Sequence, residues 1–229
     1  MCFTRNISLV FGFSGVIIYF VLKHIMNWKV AFIALYFGIM EFLQFFSFYY
    51  LDDCNNNINI LLAKLQYLHI SFQPLIIYYS LWHLAKFIKD KNLLFQKQSY
   101  FPLILIGCIL LASRNLIVTN KEDIEQSCWI CGKKDCVRHG EKHFKLEVAL
   151  RKSGIFTPSF FFYGFLFSIP AILLSWKIYL PYIIFIFATG ICIPKYFLKV
   201  PEKELGTVWC LLSVSQILGI FIIYYLFVK

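Results

Sequence analysis

Apolar residues in this chain come in unbroken blocks of about twenty, and that single feature excludes most folds. About 20 apolar residues wound as a helix span the roughly 30 Å hydrocarbon layer of a bilayer. A membrane β-barrel would instead show segments of about ten residues with alternating polarity. Seven blocks stand out, at about 7–22, 30–51, 58–84, 100–118, 156–176, 179–198 and 205–227. The reading is an all-α, polytopic membrane protein, a seven-transmembrane-helix bundle forming one membrane domain over residues 1–229. Composition agrees: 60% of residues are hydrophobic and 15% are charged, against about a quarter charged in soluble domains.

The first block follows Arg5, as a signal peptide would, but Val-Leu-Lys-His follows it in place of a small-x-small cleavage site. It reads as a retained helix. Trp28, Tyr49, Tyr50, Trp82, Tyr100, Trp176 and Tyr179 sit near block ends, as an aromatic belt would. The net charge of +10 comes from residues between the blocks, which is a loop pattern and excludes a nucleic-acid stripe. One linker is long and polar, 119–155, with room for a short helix or hairpin but not for a second domain.

Orientation follows from Lys and Arg in the short loops. One side carries the N-terminus and the loops after helices 2, 4 and 6, with Arg5, Lys195, Lys199 and Lys203. The other carries Lys23, Lys29, Lys86, Lys89, Lys91, Lys97, Lys177 and Lys229. The second set is larger, so the N-terminus and long loop are expected outside and the C-terminus in the cytoplasm. The long loop's own basic residues argue against this.

Besides Cys2 near the N-terminus, four loop cysteines fall on the first side: Cys54 after helix 2, and Cys128, Cys131 and Cys136 in the long loop. An oxidising compartment would let them form two disulfides pinning the loop to the helix 2–3 turn. One alternative is zinc on Cys128, Cys131 and Cys136 with His139 or His143, because Cys-x-x-Cys suits a tetrahedral site, though the set is incomplete as a zinc signature; the other is that the four stay free thiols. Cys108, Cys192 and Cys210 lie in apolar blocks and read as small hydrophobes.

Ionisable groups inside spans are costly and point to function. Helix 2 carries Glu41 and Gln44 at i, i+3. Helix 3 carries Gln66, His69 and Gln73 at i, i+3, i+7, on one face. Counted from the intervening turn at 1.5 Å per residue, Glu41 and His69 both lie roughly 16 Å deep. Gln44 and Gln66 meet at roughly 12 Å. Helix 7 adds Trp209, Ser213 and Gln216. A polar core lined by these residues would bind or translocate a small polar ligand, an ion or a proton, with Glu41 supplying charge and His69 exchanging protons. Two alternatives stand beside it. The polar residues would merely fasten helices in a structural or partner-binding membrane protein. Or Glu41 and His69 would be the acid and base of an intramembrane enzyme, for which Ser71 and Cys210 are weak nucleophile candidates. Lys64 lies near the loop side and would snorkel, and Pro74 would kink helix 3. The partners expected are the lipid bilayer and that small ligand, and nucleic acid is not among them. No cofactor is expected: residues 208–228 contain no Lys for a retinal Schiff base.

One resemblance is carried by scattered motifs: Met40-Glu41-x-x-Gln44, Cys54 and Asn57, and His69-Ile70-x-x-Gln73-Pro74. Cys136, Gly140 and His143 in the long loop, Thr157-Pro158, and Glu204-Leu205-Gly206-Thr207-Val208-Trp209-Cys210 complete it. In this order they resemble an uncharacterised family of seven-helix membrane proteins with no established activity. Where that family often has Trp after the loop His, this chain has Phe144 and Lys145. The resemblance implies a fold and no chemistry.

Overall fold

The computed structural model describes residues 4–87, 100–116, 123–154, 160–173, 184, 188–210, 212–214 and 217. Helix α1 is Arg5–Ile25, α2 is Trp28–Ser47, α3 is Asn57–Phe87 and α4 is Phe101–Leu116. A hairpin follows, with strands β1 (Cys136–His139) and β2 (Phe144–Glu147), then helix α5, Phe160–Leu173. A π-helix over Ala188–Phe197 and a 3-10 turn over Glu202–Glu204 lead into helical residues 205–210. The molecule is thus mostly helical but not all-α.

Three helices, α1, α2 and the Asn57–Leu84 stretch of α3, are long and apolar enough to cross a membrane. Helix α4 is apolar but shorter. The expected spans 156–176, 179–198 and 205–227 are only partly within the described residues, where each is at least partly helical.

Helices α1 and α2 form a tight pair. Asn27 caps α2 by accepting from the Val30 N–H at 3.0 Å. The two backbones approach through Gly15 and Gly38: a Cβ on Gly15 would lie 2.8 Å from the Gly38 Cα. Small residues permit this closeness, which is how helices associate in lipid. The opposite side of α1 exposes Val10, Phe13, Ile17 and Phe20. They recur at helical spacing on a face that an aqueous solvent would penalise and a bilayer would accept.

Helix α3 packs against α2, α4, α5 and β1. Pro74 lies inside it, so the carbonyl of Ile70 loses its helical donor. The Tyr67 hydroxyl ties α3 to α4 by donating to the Leu111 carbonyl at 2.5 Å. Helix α2 stops at Ser47, short of the expected 51. Its end tightens into turns, with Tyr49 N–H bonding Phe46 O and Tyr50 N–H bonding Ser47 O. The Tyr50 carbonyl is captured by Asn59 Nδ2 at 2.5 Å, and Asp52 turns left-handed at φ 67°.

Candidate functional site

Two polar assemblies meet near the 44–59 segment. The first is a cap made by the loop after α4. Asn59, at the start of α3, acts as a surrogate strand for β1: its Nδ2 donates to Val137 O at 3.0 Å and its Oδ1 accepts from Val137 N–H at 2.8 Å. Asp52 N–H donates to the same Val137 carbonyl at 3.0 Å. The Asp52 carboxylate accepts from the His139 N–H at 2.9 Å and pairs with His139 Nδ1 at 2.8 Å. Partial burial would raise the Asp52 carboxyl. The bonds from His139 and the nearby charges of His139 and Arg138 outweigh it and hold the group below its usual range.

Cys54 and Cys136 lie at disulfide distance, with Cα atoms 5.1 Å apart, across 82 residues. Cys128 and Cys131 form a second pair, with Cα atoms 5.0 Å apart. The expectation of two links pinning the loop to the helix 2–3 turn is therefore corrected in one respect. Only Cys54–Cys136 reaches that turn, and Cys128–Cys131 closes within the loop. The zinc alternative needs Cys128, Cys131 and Cys136 to converge with a His. Here Cys136 is drawn to Cys54 and the His143 ring to Gln44. Among the described residues no group of three or more His, Cys, Asp or Glu is placed to hold a metal.

The hairpin turn is fastened from the far end of the chain. Glu204 is fully buried, and its carboxylate accepts from the N–H groups of Glu141, Lys142 and His143 at 2.7, 2.8 and 2.8 Å. Gly140 makes the approach possible, since a Cβ there would lie 2.5 Å from the Glu204 carboxyl carbon. Thr207 Oγ1 lies 2.7 Å from Phe144 O and 2.9 Å from Glu204 O. Arg114 is buried and donates twice to Arg151 O, at 2.9 and 2.6 Å. Lys64, expected to snorkel, reaches the loop's Asp135 at 3.7 Å and is half exposed.

The second assembly lies below the cap, between α2 and α3. Gln44 joins the two: its Oε1 lies 3.1 Å from His143 Nε2 and its Nε2 donates to Thr207 O at 3.3 Å. Gln66 does not face Gln44 as the depth count suggests. Its Nε2 donates to Ser47 Oγ at 2.7 Å, and that hydroxyl donates onward to Leu43 O. Gln73 accepts from the Tyr163 hydroxyl of α5 at 2.5 Å and points its Nε2 at Cys210 Sγ at 3.9 Å. His69 and Tyr36 make a reciprocal pair. The Tyr36 hydroxyl donates to His69 O, and His69 Nε2 lies on Tyr36 O, both at 2.7 Å. A carbonyl only accepts, so Nε2 carries the proton and Nδ1 keeps a lone pair. The two rings stack at 3.8 Å.

Glu41 lies on α2 between the Tyr36–His69 and Ser47–Gln66 cross-links. It is fully buried, and neither carboxylate oxygen has a hydrogen-bond partner among the described residues. A Glu41–His69 hydrogen bond is therefore not formed. Gln66 Oε1 and His69 Nδ1 are likewise buried without partners there. Trp209 is half-buried against the core, and Gln216 lies outside the described residues. Sequence reasoning missed Tyr36, Ser47, Asn59, Tyr163 and Thr207 as site residues. Glu204 it singled out only as the first residue of a family motif opening an apolar block, with no role assigned.

Searches of curated proteins and of solved structures find no match to the chain. A family profile does match, over residues 6–226, nearly the whole length. This chain belongs to that family, DUF5765, a family of unknown function.

Proposed function

We propose that this chain is a multi-pass membrane protein that binds or passes a small cation, a donor-bearing ligand or a proton in the polar core between α2, α3 and the helix from residue 205. The observation that carries the reading is the Glu41 carboxylate, fully buried with both oxygens unpartnered among the described residues. An ionised carboxylate in such surroundings costs several kcal/mol unless a cation or proton donor sits beside it. The other unpartnered atoms named above, Gln66 Oε1 and His69 Nδ1, are also acceptors. The Gln66 amide is oriented by its bond to Ser47, whose own hydrogen goes to Leu43, so its oxygen is the free end. Acceptors alone favour a ligand that brings positive charge or N–H and O–H groups.

The reading divides the polar residues by role. Gln44 and Gln73 are satisfied by partners on other elements and act as fasteners between helices. This is the specific support for the alternative structural reading; Gln66 and His69 also bridge α3 to α2, through Ser47 and Tyr36, but each keeps one buried acceptor atom unpartnered among the described residues. The enzyme reading has less behind it. Ser71 Oγ donates to Tyr67 O, and His69 Nε2 is occupied by Tyr36. Seven spans, with the N-terminus and the cap outside, complete the proposal. Cysteines paired at disulfide distance in the cap agree with an oxidising side.

The test is reconstitution of the purified chain in liposomes with an internal pH indicator, with wild type compared to Glu41→Gln and His69→Ala. Wild type should show cation- or proton-dependent signal that Glu41→Gln abolishes. An unchanged signal in both variants, with unchanged ligand-induced stabilisation, would sink the reading.

A further inference from the structure

The Cys128–Cys131 pair is poorly explained as a structural brace. The benefit of a disulfide grows with the chain length it closes, and this one spans a sequence separation of 3. Its two sulfurs are also unequal. Cys131 is buried at 3% exposure, while Cys128 is partly exposed at the surface of the cap. The exposed Lys203 places its ammonium against the turn that carries them, donating to Cys128 O at 3.2 Å and Cys131 O at 3.0 Å. Behind the pair the backbone is held rigidly. Cys131 N–H bonds Cys128 O, Gly132 N–H bonds Val148 O and Val148 N–H bonds Ile130 O. Gly132 is required there, because a Cβ would sit 2.5 Å from the Glu147 Cβ.

We propose that Cys128–Cys131 is a thiol–disulfide exchange site, with Cys128 as the attacked and attacking sulfur and a dithiol polypeptide as its substrate. A substrate thiolate attacks Cys128 Sγ. The Cys128–Cys131 bond breaks, and its electron pair leaves on Cys131 Sγ, which takes a proton. The second substrate thiol then loses its proton and attacks the substrate sulfur of the mixed disulfide, releasing Cys128 as a thiolate. Protonation completes the exchange: the substrate dithiol is oxidised by two electrons and the cysteine pair is reduced by two. The Lys203 charge favours the Cys128 thiolate, which makes it a better leaving group and, in the reverse direction, a larger fraction of active nucleophile. This activity is independent of the core around Glu41.

The test equilibrates the full-length detergent-solubilised protein in buffers spanning reduced to oxidised glutathione. Alkylation then traps the thiols, and mass spectrometry of peptides reads each pair. Cys128–Cys131 should titrate within the glutathione range while Cys54–Cys136 stays oxidised throughout. In Cys131→Ser, Cys128 should form a mixed disulfide with glutathione, whereas Cys131 in Cys128→Ser should react at least tenfold more slowly. Lys203→Gln should slow the Cys128 reaction several-fold, and Lys203→Arg should restore it. Resistance of Cys128–Cys131 equal to that of Cys54–Cys136 in wild type overturns the proposal. Preferential reaction at Cys131 does the same.

Discussion

The cap and the core beneath it treat buried polarity in opposite ways. In the cap the buried Glu204 carboxylate receives three backbone N–H groups, and the buried Arg114 guanidinium lands twice on one carbonyl. In the core, six residues along α2 from the Ser47–Gln66 bridge, Glu41 receives none. Both carboxylates are equally inaccessible. A satisfied buried charge is a structural joint, because its lone pairs are spent on the fold. An unsatisfied one lowers stability and persists where something other than stability is selected. The contrast predicts that damage to the cap costs stability, while damage to the Glu41 region costs function.

The largest expected effect is on the covalent tie. Removing Cys54–Cys136 by Cys54→Ser with Cys136→Ser should lower stability by about 4 kcal/mol, as loop-closure entropy over 82 residues requires. Removing Cys128–Cys131 by the corresponding pair of substitutions should lower it by under about 2 kcal/mol, because the closed loop is so short. Denaturant or thermal unfolding of the two double variants checks the ratio. Equal losses would mean that the second pair braces the cap as much as the first, and the cap would lose its division between tie and exchange site.

Next comes Glu204. Glu204→Ala leaves the 141–143 N–H groups without their acceptor, and hydrogen bonds to a charged group contribute about 1.5–3 kcal/mol each when lost. Partial access of water to the turn moderates the sum, so about 3 kcal/mol is expected. Glu204→Gln keeps one acceptor oxygen and should fall between. Limited proteolysis should find a new cleavage site near residue 142 in the alanine variant, well below its melting temperature. Uncut protein with an unshifted melting curve would show that the turn holds itself.

The opposite sign is expected at Glu41. Glu41→Gln replaces a buried carboxyl that the described residues leave without a hydrogen-bond partner, so stability should stay level or rise by about 1 kcal/mol. Ligand- or proton-induced stabilisation should vanish at the same time. Thermal melts with and without added cation, across pH, read both. A loss of more than about 2 kcal/mol would mean the carboxylate is a fastener after all, and the contrast between cap and core would collapse.

These contrasts were unevenly legible in the sequence. Helices α1 to α4 follow from apolar run length, since nothing else accommodates twenty such residues. That Cys54 would meet the loop followed from four cysteines falling on one side of the chain's expected topology. The partner choice did not, because Cys136 and Cys131 are five residues apart and differ only in which way the hairpin carries them. Depth counting placed Glu41 opposite His69 and Gln44 opposite Gln66. It assumed straight helices in one register, but the bridges formed are Ser47–Gln66 and Tyr36–His69. Helix crossing shifts the register along the pair, and side-chain periodicity carries no information about that shift. The Glu204 joint was beyond reach for another reason: it links residues more than sixty apart through backbone N–H groups, which every sequence possesses.

The smallest effect tests the outermost contact of the cap. Asp52 is half exposed, so its bonds to His139 contribute little stability, but they carry a sign. The folded carboxyl is held below its unfolded value, so its contribution is fully present above the unfolded pKa, about 3.9. It is lost as pH falls through the folded value. Acidification from pH 5 to pH 3 should therefore loosen β1 from the α2–α3 turn, seen as faster hydrogen exchange at the His139 amide, whose acceptor is Asp52 Oδ1. Asp52→Asn is the control that isolates charge from backbone. Asparagine tolerates the left-handed φ of 67° that the turn imposes, and its amide oxygen can still accept the His139 N–H. In that variant the exchange rate should lose its step between pH 5 and pH 3. A step of equal size in the variant would place the acid-sensitive contact elsewhere in the cap. Glu125, whose carboxyl is held low chiefly by the Ser127 hydroxyl and its N–H, would be the next group to replace.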